Sequence, residues 1–105
     1  MKVKPFERQG HYTVFDNAII DEVMPKLSHT AWKVLCHIMR QTLGWRKDED
    51  GISYSQIKSG TGIKSATTIS RAINELSDEG IVITVHTDNQ WTPSRYRINR
   101  DYAVE

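Results

Sequence analysis

The sequence has a single cysteine, Cys36. That excludes a disulfide within the chain and any zinc site built from several thiolates, and it fits a reducing, cytoplasmic setting. No apolar run approaches the roughly 18 residues that a membrane span requires, so no membrane contact is expected. Met1-Lys2-Val3-Lys4-Pro5-Phe6 lacks the apolar core of a secretory signal. Also missing are a Walker A loop, a Gly-x-Gly-x-x-Gly turn and a His-Glu-x-x-His helix. No cofactor and no metal site are therefore expected. His11, His29, His37 and His86 are scattered, and the acidic residues are too dispersed for a paired-carboxylate site. Cys36 and His37 are neighbours, but on a helix adjacent side chains point about 100° apart. They read as a core cysteine beside an edge histidine, not as a nucleophile pair. Enzymatic activity is not expected. There is no internal repeat, low-complexity tract or Gly/Ser linker.

What is present is the composition of one soluble globular domain: 105 residues, 38% hydrophobic and 26% charged. A chain of this size buries a real but small core. The net charge is only +1, which gives no overall pull toward nucleic acid. The distribution says more. Lys2, Lys4 and Arg8 stand against Glu7 in residues 1–11; Lys58, Lys64 and Arg71 stand against Glu75 in residues 53–76; Arg95, Arg97 and Arg100 stand against Asp88 in residues 81–100. Each stretch nets three positive minus one negative. The acids gather elsewhere, notably in Asp48-Glu49-Asp50.

Residues 1–11 read as an N-terminal arm and residues 12–105 as one folded unit. Asp16 or Asn17 is placed to cap a short helix that Pro25 limits from behind. Ser28 is a second N-cap, opening a helix to about Thr42 that stops at Gly44. Trp32, Leu35, Cys36, Met39 and Leu43, widened by Ala31, Val34 and Ile38, give that helix an apolar face broad enough for a central position. Residues 45–51 read as a polar loop closed by Asp50-Gly51, with Arg46 and Lys47 neutralised by the acidic run. Trp45 reads as packing for that loop. Ile52-Ser53-Tyr54 is a short extended piece, and Ser55 caps a brief helix over Gln56–Ser59 that Gly60-Thr61-Gly62 breaks.

The next segment is the most informative. Ser65 starts a helix in which Ile69, Ala72, Ile73 and Leu76 recur at i, i+3, i+4 and i+7, one buried stripe. The opposite face carries small or hydrogen-bonding side chains, among them Thr67, Thr68, Ser70, Arg71 and Asn74. Gly80 is the expected left-handed residue at its end. Ile81–His86 and Ser94–Asn99 read as the strands of a hairpin joined by a turn at Thr87–Gln90, with Tyr96 and Ile98 on one face and Arg95 and Arg97 on the other. The expected fold is mainly α with a small β-hairpin, a winged helix-turn-helix.

This layout suits a DNA duplex. A helix fits the major groove, and a helix N-terminus offers free backbone N–H groups to a phosphate. The predicted DNA-binding residues are Ser65, Thr67, Thr68, Ser70, Arg71 and Asn74 toward the groove, with Lys58, Lys64, Arg95 and Arg97 toward phosphates. Arg71 is the best candidate for a bidentate guanine contact; the competing reading is an ion pair with Glu75 at i+4. Trp45, Arg46 and Lys47 are not assigned to the interface.

Several motifs carry a family resemblance. Tyr12-Thr13-Val14-Phe15-Asp16-Asn17-Ala18-Ile19-Ile20-Asp21, then Leu27-Ser28-x-Thr30-x-Trp32-x-Val34-Leu35, then Arg40-Gln41-Thr42-Leu43-Gly44-Trp45-x-Lys47, resemble the N-terminal domain of the phage replication protein O family. Ile52-Ser53-Tyr54-Ser55-Gln56, Thr61-Gly62-Ile63 and Thr68-Ile69-Ser70-Arg71-Ala72-Ile73-x-Glu75-Leu76 continue the likeness over roughly residues 12–85. The Arg-Gln-Thr-Leu-Gly-Trp step is its specific part. The resemblance implies replication initiation: a protein that binds repeated double-stranded DNA sites in a phage origin, with a separate C-terminal region that recruits the host replicative helicase or its loader. The sequence ends at Glu105, just past the hairpin, so an excised DNA-binding domain or a short stand-alone protein is expected. Lys64-Ser65-Ala66 is one residue longer than the family's usual spacing, which leaves the recognition-helix register open by one position. Binding as a homodimer on repeated or palindromic sites is a further expectation. Two other readings share the fold: a winged-helix transcriptional regulator of phage or plasmid genes, and a winged-helix protein-interaction module of a replisome.

Overall fold

In a computed structural model of the chain, the described residues are 6, 10–85 and 93–104. The expected turn at Thr87–Gln90, with His86, Trp91 and Thr92, and most of the N-terminal arm lie outside them. The fold is mainly α with a small three-stranded antiparallel sheet, a winged-helix-like arrangement.

The chain enters through a helical lead-in. Asp16 Oδ1 accepts from the Ala18 N–H at 2.8 Å just ahead of the first helical turn, whose N-cap, Ala18, has no side-chain capping bond. A π-helical turn over Ile19–Val23 and a 3-10 turn over Met24–Lys26 come next. Pro25 sits at the start of that second turn rather than blocking it, because a proline is tolerated where its missing N–H would have no partner.

Helix α1 spans His29–Thr42 behind the expected Ser28 cap, whose Oγ accepts from the Ala31 N–H at 3.2 Å. Ala31, Val34, Leu35, Ile38 and Met39 are buried, so α1 is the central helix. It does not stop at Gly44. A 3-10 turn over Leu43–Trp45 carries it on, and Arg46 takes the left-handed conformation (φ 56°) that ends it.

The acidic run is not a loop. Glu49–Gly51 is an edge strand, β1, paired antiparallel with β3 (Arg95–Ile98), which also pairs with β2 (Val82–Val85) in the order β1-β3-β2. The expected hairpin thus gains a third strand. Tyr96 is buried on the inner face with Val82, and Ile98 packs partly against the core. Arg95 and Arg97 stand outward, as their alternation predicts.

Helix α2 spans Tyr54–Thr61. Its cap is Ser53 rather than Ser55, because Gln56 stands at the third helical position and completes a capping box: the Gln56 N–H donates to Ser53 Oγ (3.1 Å) and the Ser53 N–H to Gln56 Oε1 (2.8 Å). Gly60 lies inside α2, and only Gly62 (φ 78°) ends it. Gly60 has a different task. A Cβ there would fall on the His37 ring of α1, so glycine sets how closely the two helices approach.

His37 carries a consequence of that packing. Its Nε2 is buried without a partner among the described residues, and burial lowers its pKa below the ordinary 6.5. Asp50 lines the groove on one side of the ring, and Lys33 and Arg40 line the groove on the other. The unfolded chain therefore takes up the His37 proton first as pH falls. The stability carried by neutral His37 is complete above pH 6.5 and is lost as pH drops below it toward the folded-state value. Urea midpoints measured across that range should fall toward acid, and His37→Gln should flatten the dependence.

Candidate nucleic-acid interface

Helix α3 spans Ala66–Asp78. The predicted stripe is all buried: Ile69, Ala72, Ile73 and Leu76 join Leu35, Ile38 and Ile57 in one core. The end of the helix is built as glycine allows. Gly80 (φ 75°) donates to the Ser77 carbonyl and Ile81 to the Leu76 carbonyl, both at 3.0 Å, a Schellman pair that satisfies the last carbonyls.

The turn before α3 is held by local bonds. Thr61 Oγ1 donates to the Ile57 carbonyl (2.6 Å) and accepts from the Ile63 N–H (3.1 Å), while the Gly62 N–H reaches the Lys58 carbonyl (2.9 Å). Ser65 then caps α3, its Oγ accepting from the Thr68 N–H at 3.3 Å. That cap fixes where α3 begins in this chain. Ser65, Thr67, Arg71 and Asn74 are exposed, and Thr68 and Ser70 are half-buried at the edge of the same face. Lys58 and Lys64 are exposed beside it.

Arg71 does not pair with Glu75. The Glu75 carboxylate is engaged from the other side, accepting from the Ser28 N–H at 2.8 Å and from the Ser28 hydroxyl at 2.7 Å. The physical reason lies in α1. A capping box would place Glu or Gln three residues after the cap, but that position is Ala31. The orphaned Ser28 N–H is satisfied instead by Glu75 from α3, which ties the two helices together. Among the described residues, Arg71 has no carboxylate within ion-pair distance, and Thr67, Ser70 and Asn74 have no side-chain hydrogen-bond partner.

On the sheet the two predicted arginines differ. Arg95 Nε lies 3.5 Å from Glu49 Oε2, so its charge is partly offset. Arg97, opposite Glu49 and Ile83 in register, has no ion pair among the described residues. Lys47 meets Asp50 and Arg100 meets Asp48, each at 3.6 Å, while Arg46 does not join the acidic run. Trp45 is not loop packing. It is 59% exposed, with the Arg40 guanidinium carbon 5.0 Å from the centre of its ring. Sequence reasoning alone misses that exposed ring; the signal for it is the same Arg-x-x-x-Gly-Trp spacing that carries the resemblance.

Among the described residues no hydrogen bond joins Cys36 to His37. Cys36 packs against the core, and burial pushes its thiol pKa up, away from a thiolate. Among the described residues no group of three His, Cys, Asp or Glu side chains is placed to hold a metal ion, and no helix is long and apolar enough to cross a membrane.

The sequence model of a family described as Bacteriophage replication protein O matches residues 7–103. No curated protein and no solved structure matches the chain.

Proposed function

The chain belongs to the bacteriophage replication protein O family, and on that premise we propose that it binds origin DNA for a phage replication initiator, reading the duplex with the exposed face of α3. The observation that carries this reading is a helix whose apolar stripe is wholly buried while Thr67, Arg71 and Asn74, at i, i+4 and i+7, stand outward without partners among the described residues. Those three side chains follow one line along the helix. Arg71 is matched to guanine and Asn74 to adenine. Lys58, Lys64, Arg97 and the N-terminal N–H groups of α3 take phosphates, which positions the helix without specifying sequence. Arg95 contributes less, because Glu49 holds it.

In this reading the protein is a binding module rather than an enzyme, and it acts in the host cytoplasm. Two copies on neighbouring half-sites would sit about 34–36 Å apart along the duplex. The family membership favours an initiator over a transcriptional regulator of the same fold.

The test is a titration of labelled duplex, enriched by the chain from a random pool, over a series of salt concentrations. The logarithm of affinity should fall linearly with the logarithm of salt, by about 0.9 per phosphate contacted. Lys64→Ala should reduce that slope by about one and weaken all sequences alike. A slope near zero, or no enrichment of any duplex, would sink the reading.

A further inference from the structure

The Arg40-to-Trp45 step has no role in the duplex reading, yet the structure explains its spacing. The Arg40 guanidinium lies against the Trp45 ring, 5.0 Å from its centre. It reaches that position by crossing Gly44, where a Cβ would stand 2.9 Å from Arg40 Nη1 and 2.8 Å from Thr13 Oγ1. Glycine at 44 lets the arginine lie there without either side chain having to shift. One ring face of Trp45 is thus backed by a flat cation, and the residue still keeps 59% of its surface exposed.

Two surface grooves meet at Arg40. One runs past Tyr12, Thr13, Gly44 and Trp45. The other runs past Trp32, Lys33 and Thr61, reaching the turn that precedes α3. Lys33 Nζ donates to the Thr61 carbonyl at 3.3 Å, which leaves its other N–H groups available. Among the described residues, neither groove is lined by an aspartate or glutamate, whereas the grooves beside β1 and at Arg100 are lined by Asp50 and by Asp48 and Asp101. Arg40 has no carboxylate partner among the described residues.

We propose that Trp45, Arg40 and Lys33 form a binding track for single-stranded DNA along the outer edge of α1, distinct from the α3 face. The chemistry selects that ligand. Arg40 and Lys33 suit any anion, but an exposed indole backed by a guanidinium adds a stacking platform for a base. Only an unpaired strand offers a free base face; within a duplex those faces are stacked on each other. Aromatic stacking combined with a cationic groove is how unpaired strands are held without sequence preference. A guanidinium lying on an aromatic ring keeps its N–H groups in its own plane, directed outward toward a phosphate.

Fluorescence anisotropy of a labelled oligo-dT of about 15 nucleotides, titrated with the full chain at low salt, tests this, with the labelled duplex run in parallel. The wild type binds oligo-dT. Trp45→Ala weakens that binding by about tenfold or more, with duplex affinity and melting temperature unchanged. Trp45→Phe recovers part of the loss, and Arg40→Lys, which keeps the charge but not the flat stack, also weakens oligo-dT. Arg71→Ala spares oligo-dT and weakens the duplex, so a failure of the α3 reading stands apart from a failure here. The proposal is overturned if the wild type does not bind oligo-dT, if Trp45→Ala binds it as well as the wild type, or if Arg71→Ala abolishes it. Trp45-dependent binding of an oligoglutamate peptide in place of oligo-dT would assign the grooves to an acidic protein segment and overturn it as well.

Discussion

Leu76→Ala is expected to cost about 2–5 kcal/mol of folding stability. Leu76 is fully buried, and it does two things at once. Its side chain fills the core between α3 and α1, and its carbonyl receives the Ile81 N–H in the motif that ends α3. Truncation leaves a cavity that the other residues of the core cannot fill without leaving their own contacts. A domain of this size holds only about 5–15 kcal/mol in total, so the loss is a large fraction of its stability. Urea denaturation reads it directly, as a lower midpoint with an unchanged slope. The variant should bind duplex normally under conditions where it is folded, because no atom of Leu76 reaches the outer face.

Arg71→Ala is expected to do the reverse: fold as well as the wild type and lose about 1–3 kcal/mol of affinity for an enriched duplex, roughly a 5–150-fold weakening. The stability half of this expectation follows from the structure. Arg71 is exposed and has no ion pair among the described residues, so removing it breaks no ion pair within the fold. The affinity half follows from a bidentate contact to one base. The loss should therefore be concentrated at one position of the site and come with relaxed preference there. Arg71→Lys should not rescue, because a point charge cannot form the planar pair. Competitive titration against single-base variants of the duplex separates this outcome from a uniform phosphate effect.

The parts of this molecule that depend on periodicity are legible in its sequence. The stripe of Ile69, Ala72, Ile73 and Leu76 and the Ser65 cap place α3 and its outward face, and the alternation of Arg95 and Arg97 with Tyr96 and Ile98 places the central strand. The parts that are not legible depend on partners distant in the chain. Asp48-Glu49-Asp50 has poor strand propensity. Glu49–Gly51 is extended because β3 offers it a free edge and Arg95 offers its carboxylate an ion pair. Glu75 lies 47 residues from Ser28, and nothing local to either residue announces the bond between them. The capping of α2 is a different case. Ser53-Tyr54-Ser55-Gln56 contains two serines able to cap, and the glutamine three residues after the first decides between them. That signal is local and present in the sequence, and it favours Ser53 over the Ser55 cap expected there.

The side chains of α1, α2 and the sheet hold α3 so that one line of it stays clear of the fold. The measurement that tests this most directly is amide chemical-shift mapping of the labelled chain as an enriched duplex is added. The largest shifts are expected at Ser65, Thr67, Ser70, Arg71 and Asn74, smaller ones at Lys58, Lys64 and Arg97, and little change along the edge of α1 at Lys33 and Arg40. Shifts concentrated on α1 or on the outer strands, with the α3 amides unmoved, would contradict it.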